Sequence, residues 1–480
     1  MLFPKYFSDE PVQERQFYMG ILTSSAQITM CTLVMEVIWN INLIFIGMLG
    51  KAEIIAAVGL SDMVIYFSGG LFVMGLNEGF TSLAGRAFGA GHLKLIGIYL
   101  NKALFLILCF YIVPLVVAFY SDKILILLWQ KEEVAIIARE YLLCLLPVIL
   151  FEYIFDLLRS YLNVMEIYHV HSTINLITTS IHPFLCWYLL PYGFKGIALA
   201  STITQGANNI LILSYIIIVN PCPESWFFSF KSIFKGLKKY ILYVSPIAFP
   251  ICFDALFYGI KTMIVGTFQN SRMLAAHVIV TNIFEIFYCI FLGVNLSLNT
   301  LSSNAIGERH IKKCRLLTKF SFFFGIITGI LFMIFFMYFS KSIYQLYTQD
   351  SEVLQTMVDI SKVIAVFVIF DYTQSCQQGI IKGVGLVDYG FYSVLFSYWV
   401  VGMPLCAYLG IYKDMQLLGV WLGYGITVII LFLLNTFIIW RIEWPSLIKE
   451  KYEEMQEDNR LMILEEEEFY KEFELHNEHI

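Results

Sequence analysis

The sequence predicts an all-α polytopic membrane protein, with twelve transmembrane helices in two six-helix lobes related by parallel internal duplication. Three observations lead there. The 480 residues are 59% hydrophobic and only 14% charged, with a mean hydropathy of +0.73; a soluble domain runs at about a quarter charged. Apolar runs of the roughly 20 residues a helix needs to span hydrocarbon recur along the chain. Short stretches of the first half return, in order, in the second.

The apolar runs fall at 18–49, 53–82, 99–119, 134–161, 168–190, 194–218, 241–268, 273–304, 316–338, 353–382, 388–411 and 416–440. Hydrocarbon cannot satisfy backbone N–H and C=O groups, so each run must satisfy its own, and the fold is a helix bundle. Several runs exceed the minimum, which predicts tilt or extension beyond the bilayer.

Lys and Arg placement sets the orientation. They gather after the sixth run (Lys231, Lys235, Lys238, Lys239) and after the eighth (Arg309, Lys312, Lys313, Arg315, Lys319), while the connections on the other side carry few. Both termini are therefore expected on the cytoplasmic side of a multi-pass protein of the plasma membrane or an endomembrane such as the vacuole. The start, "MLFPKYFSDEPVQERQ", holds acids and no compact apolar stretch, so the first helix doubles as the targeting signal. The net charge of −6 comes from the end, "EWPSLIKEKYEEMQEDNRLMILEEEEFYKEFELHNEHI"; the remainder is net basic. That pattern speaks against a nucleic-acid partner and for a solvated tail. The 10 cysteines are scattered through apolar segments, without zinc or disulfide spacing.

The duplication rests on three weak matches. "GRAFGAGH" (85–92) resembles "SNAIGERH" (303–310), placing Gly89 on Gly307 at an offset of 218. "LLWQKEEV" (127–134) resembles "LYTQDSEV" (346–353), and "GFKGIALAS" (193–201) resembles "QLLGVWLGY" (416–424). Each pair is separated by an even number of crossings, so the halves share one topology. The expected divisions are a cytoplasmic segment 1–17, an N-lobe 18–218, a linker 219–240, a C-lobe 241–443 and an acidic tail 444–480. The linker's "WFFSFKSIFKGLKKY" suits an interfacial helix. Two like lobes are a common transporter plan, with sites near the midplane.

Several stretches resemble the multidrug and toxic compound extrusion (MATE) family, in its eukaryotic form: "GLNEGFTSLAGRAFGAGHLKLIGIYLNKA", "ILLWQKEEVAIIAREYL", "IYQLYTQDSEVLQTMV" and "QQGIIKGVGLVDYGFYSVLFSYWVVGMPL". The likeness runs from about residue 18 to 443. It implies an exporter of organic, usually cationic, compounds that works by alternating access, driven by protons or sometimes sodium, with no other cofactor. It also implies essential carboxylates inside the membrane. The family's seventh-helix acid falls on Asp254 in "CFDALFYG", and its tenth-helix acid on Asp371 in "IFDYTQ". The second acid common in eukaryotic members is replaced by Gly259. The eighth-helix acid falls near Asn282, with Glu285 the nearest carboxylate. The first-helix aspartate of bacterial members is replaced by Asn42.

The residues support the same short list on physical grounds. Asp371 lies about 16 Å along a helix from Lys382, and Asp254 about 22 Å from Lys239. A carboxylate that deep must protonate or find a partner, and intramembrane acids are functional by default. Asp371, Asp254 and Glu285 are therefore the expected sites of proton and substrate coupling. Gln374 and Gln378 share a helical face with Asp371, and either line a wet cavity or bond neighbouring helices. Tyr258 and Lys261 share a face with Asp254. Lys261 either snorkels outward or pairs with an acid, and pairing argues against a simple preference for cations. Glu36 is the deepest acid of the N-lobe, with Glu78, Glu152 and Asp156 as further candidates; Glu152 and Asp156 share a face and can approach Arg159. His169 and His171 read as structural, not as a metal pair. Asn163, Asn175 and Gln205 read as interhelical bonds. Gly89, Gly91, Gly383 and Gly385 read as helix ends; no Gly-Lys-Ser/Thr loop is present, so a gradient and not ATP supplies the energy.

The expected activity is thus proton-coupled export of a small organic substrate by a protein acting as a monomer in the bilayer. Sodium coupling and a lipid-linked precursor flippase of the same superfamily are the alternatives within the class. The flippase needs a cationic groove, which only Lys261 suggests. An acyltransferase-like enzyme needs a catalytic constellation, and His182 and His277 stand alone in the sequence.

Overall fold

The computed structural model describes residues 7–8, 11–50, 52–127, 130–268, 270–345, 347 and 350–477. Among these there are helices and no strands. The crossings are α1 Glu14–Gly47, α2 Glu53–Gly89, α3 Leu93–Leu127, α4 Glu132–Val164, α5 His169–Leu189 and α6 Gly193–Val219 in the N-lobe. In the C-lobe they are α7 Leu237–Gly266, α8 Arg272–Gly307, α9 Ile311–Tyr344, α10 Ser351–Gly383, α11 Val387–Tyr412 and α12 Gln416–Trp440. α5 and α6 form one apolar stretch of 51 residues. At 1.5 Å per residue that is more than twice the hydrocarbon thickness. The break is a single tight turn, Leu190–Tyr192, followed by Gly193 at φ +66°, and α6 folds back on α5. Bends elsewhere have local causes: Pro114 in α3, Pro147 in α4, Pro246 and Pro250 in α7, and wide π turns at Tyr66–Gly70 in α2 and Leu395–Gly402 in α11.

The duplicated motifs meet each other. α1 packs on α8 and α2 on both α7 and α8, so the first two helices of each lobe form the interface. There the ends of "GRAFGAGH" and "SNAIGERH" lie back to back. A Cβ on Gly89 would strike the carbonyl of Asn304, and one on Gly307 would strike the carbonyl of Arg86. The repeated glycine is therefore a mutual close approach of two helices as well as a helix end. Ser24 Oγ and Ser297 Oγ bond at 2.8 Å, Ser82 Oγ donates to the carbonyl of Lys382 at 2.8 Å, and Asn299 donates to the carbonyl of Glu78 at 3.2 Å. Lys382 Nζ meets the Glu78 carboxylate at 2.5 Å, with side-chain exposures of 13% and 3%. These bonds lie in the halves of α1, α2, α8 and α10 nearer the basic loops.

The linker's helix is short: Phe230–Phe234 follows a tight turn at Pro223–Ser225, and Gly236, at φ +64°, turns the chain straight into α7. One expectation fails outside the crossings. The acidic tail is not simply solvated. It forms α13, Trp444–Asn477, whose first half docks across both lobes. Trp444, Leu447 and Ile448 enter the C-lobe core, and Met455 enters the N-lobe core. Lysines and acids dominate the composition of that stretch, but its apolar residues recur every three or four positions and make a buried stripe.

Candidate functional site

α7 places Asp254, Tyr258 and Lys261 at intervals of four and three, so they share one face. That face points at α10, which supplies Asp371 and Gln374, and at α12, which supplies Trp421 and Tyr424. Asp371 is held by two donors: Gln374 Nε2 to Oδ1 at 3.1 Å and Tyr424 OH to Oδ2 at 2.9 Å. Since Tyr424 spends its proton on the carboxylate, Tyr258 must donate to Tyr424, at 2.5 Å. The chain Tyr258–Tyr424–Asp371 thus runs from α7 through α12 to α10. Asp254 interacts electrostatically with Asp371 and is faced by the hydroxyl of Tyr398 from α11, while its Oδ1 is buried without a hydrogen-bond partner.

Lys261 does neither of the two things the sequence allowed. It does not snorkel, because its side chain is fully buried. Nor does its Nζ hydrogen-bond an acid. The ammonium sits 4.3 Å from the ring centre of Tyr258, 4.1 Å from Trp421 and 4.4 Å from Tyr424, inside a box of three aromatic faces. A cation over a ring face is attracted by the ring quadrupole, most strongly when desolvated. Asp371, Asp254 and Glu285 all act on it electrostatically from farther away. The chamber therefore holds two acids and one fixed ammonium.

The other predicted residues divide. Gln378 donates to Asn435 at 3.2 Å and so ties α10 to α12. Glu285 on α8 and Glu36 on α1 are exposed and act on each other electrostatically from opposite lobes, with Tyr66 of α2 beside both. Asn42 is buried in an N-lobe network, donating to Ser201 at 2.9 Å and sharing its carbonyl oxygen with His182 at 2.9 Å. Glu152 takes a bond from Gln205 at 3.1 Å, and Asp156 pairs with Arg159 at 3.0 Å. Glu78 is the partner of Lys382 in the inter-lobe pair. His171 bonds Asn163 at 2.8 Å.

Sequence reasoning missed Trp421, Tyr424 and Tyr398. A signal existed for the first two: in "GVWLGYG" they are the only side chains with polar tips, three apart, among glycines.

The family model described as MatE matches the chain twice, over residues 28–188 and 246–408. The chain is a member of the MATE family. It is thus a membrane transporter, and the two matches correspond to its two lobes. Its relatives include Protein DETOXIFICATION 35 of Arabidopsis thaliana, 24% identical over 426 residues that cover 87% of this chain and 86% of that protein. They also include Protein DETOXIFICATION 51 of the same plant, 24% identical over 437 residues, covering 90% and 82%. Among solved structures, the eukaryotic MATE transporter AtDTX14 superposes with a TM-score of 0.85 at 19% identity, covering 92% of this chain and 99% of that one. The Vibrio cholerae MATE transporter VcmN in its bent form gives 0.76 at 17% identity, covering 91% and 98%. At these identities the superpositions speak for the MATE fold alone, and the chamber of this transporter stands on its own residues.

Proposed function

We propose that this MATE transporter exports organic cations by antiport with protons, and that the antiport rests on charge balance in the C-lobe chamber. The observation that carries this reading is the grouping of Asp254, Asp371 and the boxed Lys261. With both acids ionised and Lys261 charged, the chamber lacks one positive charge. A proton on Asp371 supplies it; so does a cationic substrate beside Asp371. The two exclude each other, because a second positive charge in a low-dielectric site is costly. Exchange across the membrane follows when the lobes rock between openings.

The lobes are bonded to each other on the side of the basic loops and α13, while Glu36 and Glu285 beyond those bonds are exposed. We read the bonded side as cytoplasmic from its lysines and arginines. The conformation then opens to the opposite side, with Glu36 and Glu285 as an acidic entrance for protons. The protein acts as a monomer, each copy holding a complete chamber.

Reconstituted vesicles test the coupling. Efflux of tetraethylammonium should follow an imposed proton gradient and ignore a sodium gradient at constant pH. Efflux that follows sodium alone would replace the proton by sodium in the same chamber.

A further inference from the structure

A cavity of about 140 Å³ lies at the tail face, between the N-lobe, the linker, the start of α7 and α13. It has room for several waters or one compact polyatomic anion. Four basic residues line it. Arg86 and Lys102 are buried, at 3% and 8% exposure, and Lys235 and Lys239 stand exposed at its rim. Among the described residues of the lining, the acids are Glu454 and Asp458, both from α13.

Two donors in the wall are buried and unsatisfied: Nη2 of Arg86 and the hydroxyl of Tyr240, itself 3% exposed. Buried donors are nearly always paired. α7 also begins here. Its N-cap, Gly236, lines the cavity and has no side chain to cap the first amides of a 30-residue helix. Free amides and the positive end of the dipole make such a terminus an anion site when other donors converge on it. One anion already uses the wall in this way. The carboxylate of Asp458 takes Lys239 Nζ on Oδ1 at 2.7 Å and Tyr99 OH on Oδ2 at 3.0 Å. Glu454 comes no nearer to Arg86 than 3.9 Å.

We propose that this cavity binds a phosphate-bearing anion, held by Arg86, Tyr240 and the first amides of α7, with Asp458 of the tail as its built-in competitor. A carboxylate is too small for the donors on offer. A phosphate monoester brings three acceptor oxygens and close to two negative charges, which suits the Arg86 guanidinium, the Tyr240 hydroxyl and the first amides of α7. The ester can be a soluble metabolite or a lipid headgroup, since the linker beside the cavity exposes Phe228, Phe230 and Phe234 at an interfacial position. Occupancy displaces Asp458, and so loosens α13 from the N-lobe.

The test uses the full chain in nanodiscs, titrated with pyrophosphate and with inositol trisphosphate, and separately in nanodiscs that contain phosphatidylinositol bisphosphate. Binding is expected to saturate. Arg86→Gln should weaken it about tenfold, the worth of a hydrogen bond to a charged group. Tyr240→Phe, which keeps the ring and the fold, should weaken it several-fold, and Asp458→Asn should tighten it several-fold. Binding of the soluble probes identifies a soluble ester as ligand, and binding confined to lipid nanodiscs identifies a headgroup. No saturable binding of either kind, to the parent or to Asp458→Asn, would overturn the proposal. So would affinities that ignore both Arg86→Gln and Tyr240→Phe.

Discussion

Neutralising one member of the Glu78–Lys382 pair should tip the transporter open on the tail side. The pair joins α2 to α10 across the lobes at 2.5 Å, and both side chains are nearly buried. Glu78→Gln leaves the Lys382 ammonium in that site without its counter-charge; Lys382→Met does the reverse to Glu78. Removing one partner of a buried pair costs ~3–5 kcal/mol, because a charge stays behind unpaired. That cost falls on the closed form alone, since parting the lobes lets water reach the stranded charge. At 1.4 kcal/mol per factor of ten, the closed-to-open ratio should fall by roughly two to three and a half orders of magnitude. The double variant Glu78→Gln/Lys382→Met strands no charge and should return most of the way. Spin labels on Lys94 of α3 and Lys312 of α9, both exposed, report the lobe separation by pulsed EPR. The single variants should move the main distance to a longer value, and the double variant should restore the parent's distribution. Unchanged distances in both single variants would refute the idea that this pair fastens the lobes.

Three further outcomes follow from the same geometry. Lys261→Met leaves two acids and no ammonium, so the carboxylates should hold their protons more tightly and the pH optimum of tetraethylammonium efflux should move upward; an unchanged pH profile would remove Lys261 from the charge count. Truncation before Glu450 deletes the buried Met455, worth ~1.5–3 kcal/mol as a buried apolar side chain, together with the bonds of Gln456 and Asp458; the same spin-label pair should then report a larger open population, and an unaltered distribution would return the tail to the solvated role its charge suggested. His92 lies between α2 and α3 and bonds Gln456 and Asn459 of α13 at 2.8 and 3.2 Å. Burial lowers its pKa from the usual 6.5, so its share of tail docking is fully present above that value and is lost as pH falls through the lowered one; proteolysis of the tail should speed up on acidification, and His92→Gln should remove that pH dependence.

Much of this molecule can be read from its sequence, because the bilayer leaves few choices. Twelve apolar runs give twelve crossings, and even the α5–α6 hairpin, continuous in hydropathy, is marked by Leu190–Tyr192 and Gly193. Asp254 and Asp371 stand out because a charge inside an apolar run has no neutral explanation. The aromatic box did not stand out. Trp421 and Tyr424 lie far along the chain from Lys261, and aromatics are ordinary in a membrane helix; their spacing among glycines marks them as a pair, but only their convergence on Lys261 reveals a cation site. The two roles of the repeated glycine were half legible: a helix end is local, but the contact of Gly89 with Asn304 is a fact about two distant helices. The tail misled for a related reason. Its net charge argues for solvent, whereas the residues that dock it, Leu447, Ile448 and Met455, are few and spaced along one stripe.

The central claim is that Asp371 exchanges a proton for a substrate charge. The most direct measurement is proton-driven efflux of tetraethylammonium from vesicles holding Asp371→Asn, beside the parent and Asp371→Glu. Asparagine keeps the size and can still bond Tyr424 and Gln374, but it cannot titrate. The account predicts a correctly inserted protein whose proton-driven efflux is abolished, with partial efflux in Asp371→Glu. If Asp371→Asn pumps with the parent's dependence on the proton gradient, the carboxylate is structural, and coupling belongs to Asp254 or Glu285.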